Sequence, residues 1–379
     1  MLLAINENKL SEKLIKYRRE LHENPELSMQ EYETTKRIIK WLKEENIKIL
    51  NLPLTVGVVA EIEGAYPGPI IALRADIDAL PIIEETGLDF SSKKYGVMHA
   101  CGHDFHTSAI LGAAIIINNN KSQLHGKVRI IFQPAEENAK GAEMIINSGA
   151  LKDVKAIFGM HNKPDLPVGT IGIKSGPLMA SVDRFEIEVI GVGGHAAIPE
   201  RCVDPIVVAS EIVSSLQTII SRNLSPFSNT IISVTRFQSG NTWNVIPEKA
   251  SLEGTVRTFQ KDVRKIIPDL IKRNIEGIAS AFGAKVNLKW YPYLPGVCND
   301  ESFTKVATEA AVELGYKVEL AKVSTGGEDF ALYQNIIPGF FIWMGVAGTK
   351  EWHHPSYNLN EEAVIIAAKY FFNLIMKVL

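Results

Sequence analysis

Hydrophobic positions follow two different periods along this chain. Near the N-terminus Leu10, Leu14 and Ile15, then Ile38, Ile39 and Leu42, recur at helical spacing and predict amphipathic helices over residues 9–23 and 29–46. Asn24-Pro25-Glu26 separates them, because a proline pushes the residue before it out of the helical region. Short uninterrupted apolar runs follow at residues 57–62, 69–73, 127–132, 156–160 and 339–344, each bounded by turn residues. A run that does not alternate suits a strand covered on both faces by helices, which predicts an α/β core. Residues 108–117 are apolar and helix-like and supply one such cover.

Between residues 180 and 291 the pattern changes. Phe185, Ile187 and Val189 alternate over 183–190, and residues 203–220 carry an apolar stripe at helical spacing. Residues 230–237 and 250–256 read as strands joined through Trp243-Asn244-Val245-Ile246-Pro247. A helix over 262–281 follows, with Pro268 either near its start or kinking it, and a strand at 284–290 closes the segment. The order β-α-β-β-α-β is the ferredoxin-like signature, and about 110 residues suit a small domain. The α/β pattern resumes with a helix at 302–314. The expected organisation is therefore a mixed-sheet α/β domain with helices on both faces, built from residues 1–179 and 292–379, with residues 180–291 inserted.

The apolar runs matter most for the polar residues just beyond their carboxyl ends. One leads to Asp76 and Asp78, the next to Glu136 and Glu137, another runs into His161, and the last precedes His353 and His354. Ligands of open α/β sheets bind outside the carboxyl ends of the strands. Cys101-Gly102-His103 adds a thiol and an imidazole two residues apart, a donor pair suited to zinc-like ions. By itself the pair reads equally as a buried free cysteine beside histidines. Across 379 residues the net charge is −3, with 46% hydrophobic and 22% charged residues, so no electrostatic footprint for nucleic acid or an anionic membrane exists. No run approaches the roughly 20 apolar residues of a membrane span. Met1-Leu2-Leu3-Ala4-Ile5 has neither a basic segment nor the length of a secretory signal, and three cysteines make no disulfide framework. These features predict a reduced, cytoplasmic enzyme.

Seven motifs occur in order: residues 72–81 (ALRADIDALP), 98–107 (MHACGHDFHT), 133–138 (QPAEEN), 159–162 (GMHN), 193–197 (GGHAA), 328–330 (EDF) and 353–355 (HHP). Each is weak alone. As an ordered set over about residues 15–365 they resemble the M20 metallopeptidase family, in particular its amidohydrolase branch of N-acyl-amino-acid and hippurate hydrolases. The resemblance implies two divalent ions, zinc or manganese with nickel or cobalt as substitutes in vitro. The implied ligands are Cys101, His103, Glu137, His161 and His353, with the cysteine bridging where peptidase branches use an aspartate. Glu136 matches the general base. Asp78, and similarly Asp104, would orient a ligand histidine. The Asp76/Asp78 pair as ligands and Glu136-Glu137 as an acidic helix start are the alternative readings of those carboxylates. His353 rather than His354 stands two residues before the proline. His195 matches a residue that reaches the partner subunit's site and stabilises the oxyanion, and Asn244 and Arg257 match substrate contacts, although Arg257 equally suits a structural ion pair. His99 and His106 are expected to be structural, and His22 and His125 solvated. The implied activity is hydrolysis of the amide of N-acetyl or aroyl amino acids, in a homodimer formed through the inserted domain. A dipeptidase of the same fold and a non-catalytic metal-binding relict are the rival readings.

Overall fold

In the computed structural model, which describes residues 6–379, all five continuous apolar runs lie in one eight-stranded mixed sheet. The apolar stretch at residues 1–5 lies outside the described residues. From one edge the strands are Lys48–Ile49, Val58–Glu63, His125–Gln133, Tyr66–Asp76, Val154–Lys163, Gly339–Gly345, Thr170–Ile173 and Lys317–Leu320. The four central strands, His125–Gln133 to Gly339–Gly345, run parallel, and antiparallel pairings flank them on both sides.

Both faces of these strands are covered, which is why their sequences do not alternate. Ile71, Leu73 and Ala75 share one core with Val128, Ile130, Phe132, Phe158 and Phe340 and with the helix residues Leu14, Phe105, Ile110, Ala368 and Phe371. On the opposite face Phe341 packs on Phe330, ring centroids 4.7 Å apart, beneath the short helices Gly141–Asn147 and Phe330–Tyr333. Each fully buried aliphatic or aromatic side chain contributes roughly 1.5–3 kcal/mol. At the centre lies the helix His103–Asn119, buried at every position from His103 to Ile117, between the helices Glu7–Glu23 and Glu362–Val378. Gly112 permits that close packing: a Cβ there would lie 2.5 Å from Leu14 Cδ1 and 2.8 Å from Ala368 Cβ.

The chain divides into two compact units. The unit just described takes the described residues up to Leu178 together with Cys298–Lys322 and Glu328–Leu379. Its chain leaves and returns through a two-stranded antiparallel pairing, Pro177 opposite Cys298 and Gly176 opposite Asn299. The second unit, Met179–Val297 with Val323–Gly327, holds a four-stranded antiparallel sheet in the order Ile231–Ser239, Lys249–Thr258, Ser181–Ile190, Lys285–Leu294. With the helices Pro205–Thr218 and Lys261–Phe282, this is the ferredoxin-like arrangement, and the second helix runs through Pro268. Phe185, Ile187 and Val189 pack against Val208, Ile212, Ile271 and Ile275 of the helices. The other sheet face carries the exposed ion pairs Arg184–Glu186, Arg236–Glu253 and Lys249–Glu188. No helix among the described residues is long and apolar enough to cross a membrane.

Candidate metal centre

The central strand Tyr66–Asp76 has His125–Gln133 on one side and Val154–Lys163 on the other, so the crossover from it runs one way and the next crosses back past it. That reversal opens a crevice at the carboxyl edge. Asp76 and Asp78 enter it from the central strand, Glu136 and Glu137 from beyond Gln133, and His161 from within its own strand. Cys101 and His103 enter from the start of the buried helix. Gly102 between them adopts φ 83°, a left-handed conformation that turns the chain sharply into the helix.

Cys101 belongs to two groups of donor atoms that each lie within 4.8 Å of one another: one with His103 and His161, one with Glu137 and His353. The thiol Sγ is 3.4 Å from His161 Nε2. Glu137 Oε1 is 3.6 Å from His353 Nε2 and 3.9 Å from His103 Nε2. His103 Nδ1 lies 3.1 Å from Asp78 Oδ1, so its N–H donates there and its Nε2 faces the crevice. Asp78 also accepts the Glu137 backbone N–H at 3.0 Å. Buried His103 Nε2 and Glu137 Oε1 have no hydrogen-bond partner among the described residues. An unmet buried polar atom costs about 1–3 kcal/mol, and a cation shared between these two removes both penalties. The residues fit divalent ions: Cys101, His103 and His161 would hold one and Cys101, Glu137 and His353 another. His353 is held in the group by its backbone N–H, which donates to Ala100 O at 2.9 Å, and has a φ of 65°. The neighbouring His354 instead turns Nδ1 to the Ser356 N–H.

The electrostatics favour the same occupant. Burial, then Glu137 and Glu136, push the Cys101 thiol well up. Burial pushes Glu137 up to about 7, against the opposing pull of His103. Glu136 is raised well above the carboxylate range by burial, Glu328 and Glu137. A divalent cation reverses this balance and deprotonates a coordinating thiol. Beneath the site, Arg74 is fully buried against Asp76 at 2.8 Å, Glu328 at 3.0 Å and Asp329 at 2.7 Å. Sequence reasoning gave Arg74, Glu328 and Asp329 no role beyond their motifs, because the pairing of Arg74 with Asp329 bridges 255 positions. Asp76 also takes the His106 Nδ1–H at 2.6 Å, so its lone pairs are largely engaged.

Two expectations need correction. His22 is buried, not solvated: its Nδ1 lies 2.9 Å from Asp104 and its Nε2 3.2 Å from Glu84. Asp104 has no hydrogen bond to any of the five expected ligands. It pairs with His22 and, at 3.1 Å, with Arg18 Nε, tying the buried helix to Glu7–Glu23. His99 and His106 are buried, and His125 is exposed and stacks on Tyr66.

His195 and Asn244 belong to the second unit, on paired ribbons: Gly194–His195 pairs with Val245–Ile246, and the Ala196 N–H donates to Asn244 O at 3.2 Å. The Ala197 N–H donates to His195 Nδ1 at 3.1 Å, which leaves the ring proton of neutral His195 on exposed Nε2. Arg257, in the strand Lys249–Thr258, forms no ion pair among the described residues, and the nearby Asp183 is taken by Arg264 at 2.7 and 2.8 Å.

A mixed sheet with a thiol shared between two ligand groups at its carboxyl edge, and a further half-buried carboxylate beside them, defines a metal-dependent hydrolase. Residues 72–377 match Peptidase family M20/M25/M40, and the chain belongs to that family. It is 59% identical over 368 residues to an N-acetylcysteine deacetylase of Bacillus subtilis, covering 97% of each chain. A second Bacillus subtilis relative, an N-acetyl-L-cysteine deacetylase, is 49% identical over 97% of this chain and 88% of its own. The crystal structure of the Bacillus subtilis YXEP protein, a dinuclear metal binding peptidase of the M20 family, superposes with a TM-score of 0.91 at 55% identity, covering 98% of this chain and 99% of that one.

Proposed function

We propose that this protein hydrolyses the amide of N-acetylated amino acids, N-acetylcysteine first among them, releasing acetate and the free amino acid. The observation that carries the reading is Cys101, common to two ligand groups, with a Glu136 oxygen within 4.8 Å of donor atoms of His103 and Glu137. Two divalent ions, when bound, polarise a carbonyl and lower the pKa of water. Glu136 takes the proton of the attacking water and returns it to the leaving amine. His195, with its proton on Nε2, donates to the oxyanion, and Arg257 holds the substrate carboxylate. Thiolate and imidazoles favour zinc, while Glu137 admits manganese. Three free cysteines suit a reducing cytoplasm. Support for a homodimer through the second unit comes from its outer strand Ile231–Ser239, an unpaired sheet edge with Ile231 and Phe237 exposed, and from exposed Ile206 and Val207.

The rival reading is a dipeptidase, and a cysteine in the bridging place, where peptidase branches use aspartate, favours the amidohydrolase. Metal-reconstituted protein assayed for free amine on N-acetyl, N-benzoyl and dipeptide substrates separates them. N-acetylcysteine is expected to lead in kcat/KM by about tenfold or more. A dipeptide in that place would reverse the assignment.

A further inference from the structure

Asn162, the residue after His161, is fully buried, and all of its polar atoms are engaged. Its Nδ2 donates to the Cys101 carbonyl at 2.6 Å and to His106 Nε2 at 3.0 Å. Its Oδ1 accepts from Tyr357 Oη–H at 2.6 Å and Trp352 Nε1–H at 2.9 Å. The orientation of the amide is fixed by its neighbours: an indole nitrogen only donates and a carbonyl oxygen only accepts. Its backbone carbonyl faces His161 Nδ1 at 2.9 Å, which puts the imidazole proton there and leaves the Nε2 lone pair towards Cys101.

These contacts reach three separate chain segments that carry expected ligands. The Cys101-Gly102-His103 turn lies directly on the amide: a Cβ at Gly102 would sit 2.5 Å from Asn162 Nδ2 and 3.0 Å from Tyr357 Oη. His161 is set through the backbone carbonyl. Trp352 and Tyr357 flank His353 in sequence, so Oδ1 holds both ends of the loop that presents it.

We propose that Asn162 is a positioning residue: its amide sets the Cys101 thiolate and the His353 loop at the separation that lets one sulfur serve two ions. The inference rests on the thiolate-shared site described above. Aspartate cannot replace Asn162, since its carboxylate would face the Cys101 carbonyl and the His106 lone pair, two acceptors without a hydrogen between them. Alanine removes the side-chain ties to the Cys101 turn and to the His353 loop at once, and leaves the backbone carbonyl on His161 in place.

The test uses full-length protein titrated with cobalt(II), reading metal affinity and the thiolate-to-cobalt charge-transfer absorption, with circular dichroism to establish folding. Wild type is expected to bind two equivalents with the charge-transfer band, and Cys101→Ser to lose the band. Folded Asn162→Ala is expected to bind cobalt about 10–100-fold more weakly, with a displaced band. Wild-type affinity and spectrum in folded Asn162→Ala, whatever its melting temperature, would overturn the proposal. If that variant does not fold, Trp352→Phe carries the test, since it deletes a single donor on a half-buried side chain. An affinity loss of about tenfold for one ion supports the proposal, and unchanged binding of both overturns it. A wild-type protein without the band, or a Cys101→Ser protein that keeps it, would instead refute the shared thiolate, a different failure from that of Asn162.

Discussion

Glu136 and Glu137 are consecutive, yet their surroundings give them different work. Glu137 Oε1 lies within 4 Å of both His103 and His353 Nε2, whereas Glu136, which also groups with His103 and Glu137, faces Glu328 and Asp329 as well. Glu136→Gln is expected to keep its metal and fold and to lose turnover by about 10²–10⁴. Glu137→Gln is expected to release metal, and elemental analysis of both proteins exchanges the roles if the opposite is found. A pH effect is expected at His22. Burial lowers the affinity of His22 for a proton, but the bonds to Asp104 and Glu84 outweigh it and raise the pKa. A raised pKa in the folded state stabilises fully below the unfolded value of about 6.5, and the gain fades as pH rises through the folded value. Glu84 is also buried, and its bonds to His22 and Thr86 bring it down to about 2, so its contribution is present above about 4.3 and fades as pH falls towards 2. Between about pH 4.5 and 6.5 both contributions are present. Denaturant titrations should therefore show a larger gap between wild type and His22→Gln at pH 5.5 than at pH 9. An equal gap at both values would contradict the assigned shift.

At the scale of elements, the helix His103–Asn119 is the pivot of the larger unit, because it is buried all round and carries His103 at its first position. Gly112→Val puts methyl groups where Leu14 and Ala368 already stand, and the overpacking is expected to lower stability by about 1–3 kcal/mol. Thermal melts of apo-protein measure this apart from metal. The strands feeding the crevice are legible in the sequence because cover on both faces makes them continuous apolar runs that end in the polar residues they deliver. Cys101, His103, Glu137, His161 and His353, grouped by motif, stand within reach of one another. Thr170–Ile173 and Lys317–Leu320 escape such reading: four residues on the edge side of a sheet are too short to display a pattern. The helix Glu362–Val378 escapes for another reason, since it buries so much of its circumference that no stripe stands out. His22 and Asp104 are 82 residues apart and Arg74 and Asp329 are 255 apart. No local period announces a buried ion pair of that span.

At the scale of the whole molecule, every expected metal ligand belongs to one compact unit and His195, Asn244 and Arg257 to the other. If His195 serves the site of a partner subunit, inactive His195→Ala and inactive Glu136→Gln chains should regain activity on mixing, as each heterodimer holds one intact pair. Confirmed heterodimers without activity would mean that each chain supplies its own histidine. The paired crossing at Pro177 and Cys298 carries a last consequence. Because the outgoing and returning strands are neighbours, residues 178–297, the second unit apart from Val323–Gly327, form a cassette whose removal leaves all eight strands of the larger sheet beside their own partners. Joining Pro177 to Cys298 through a tight turn is thus expected to give a miniature protein that still titrates with cobalt but no longer turns over acetylated substrate. Selection acting on such a chain is free to swap or lengthen the cassette without rebuilding the metal seat.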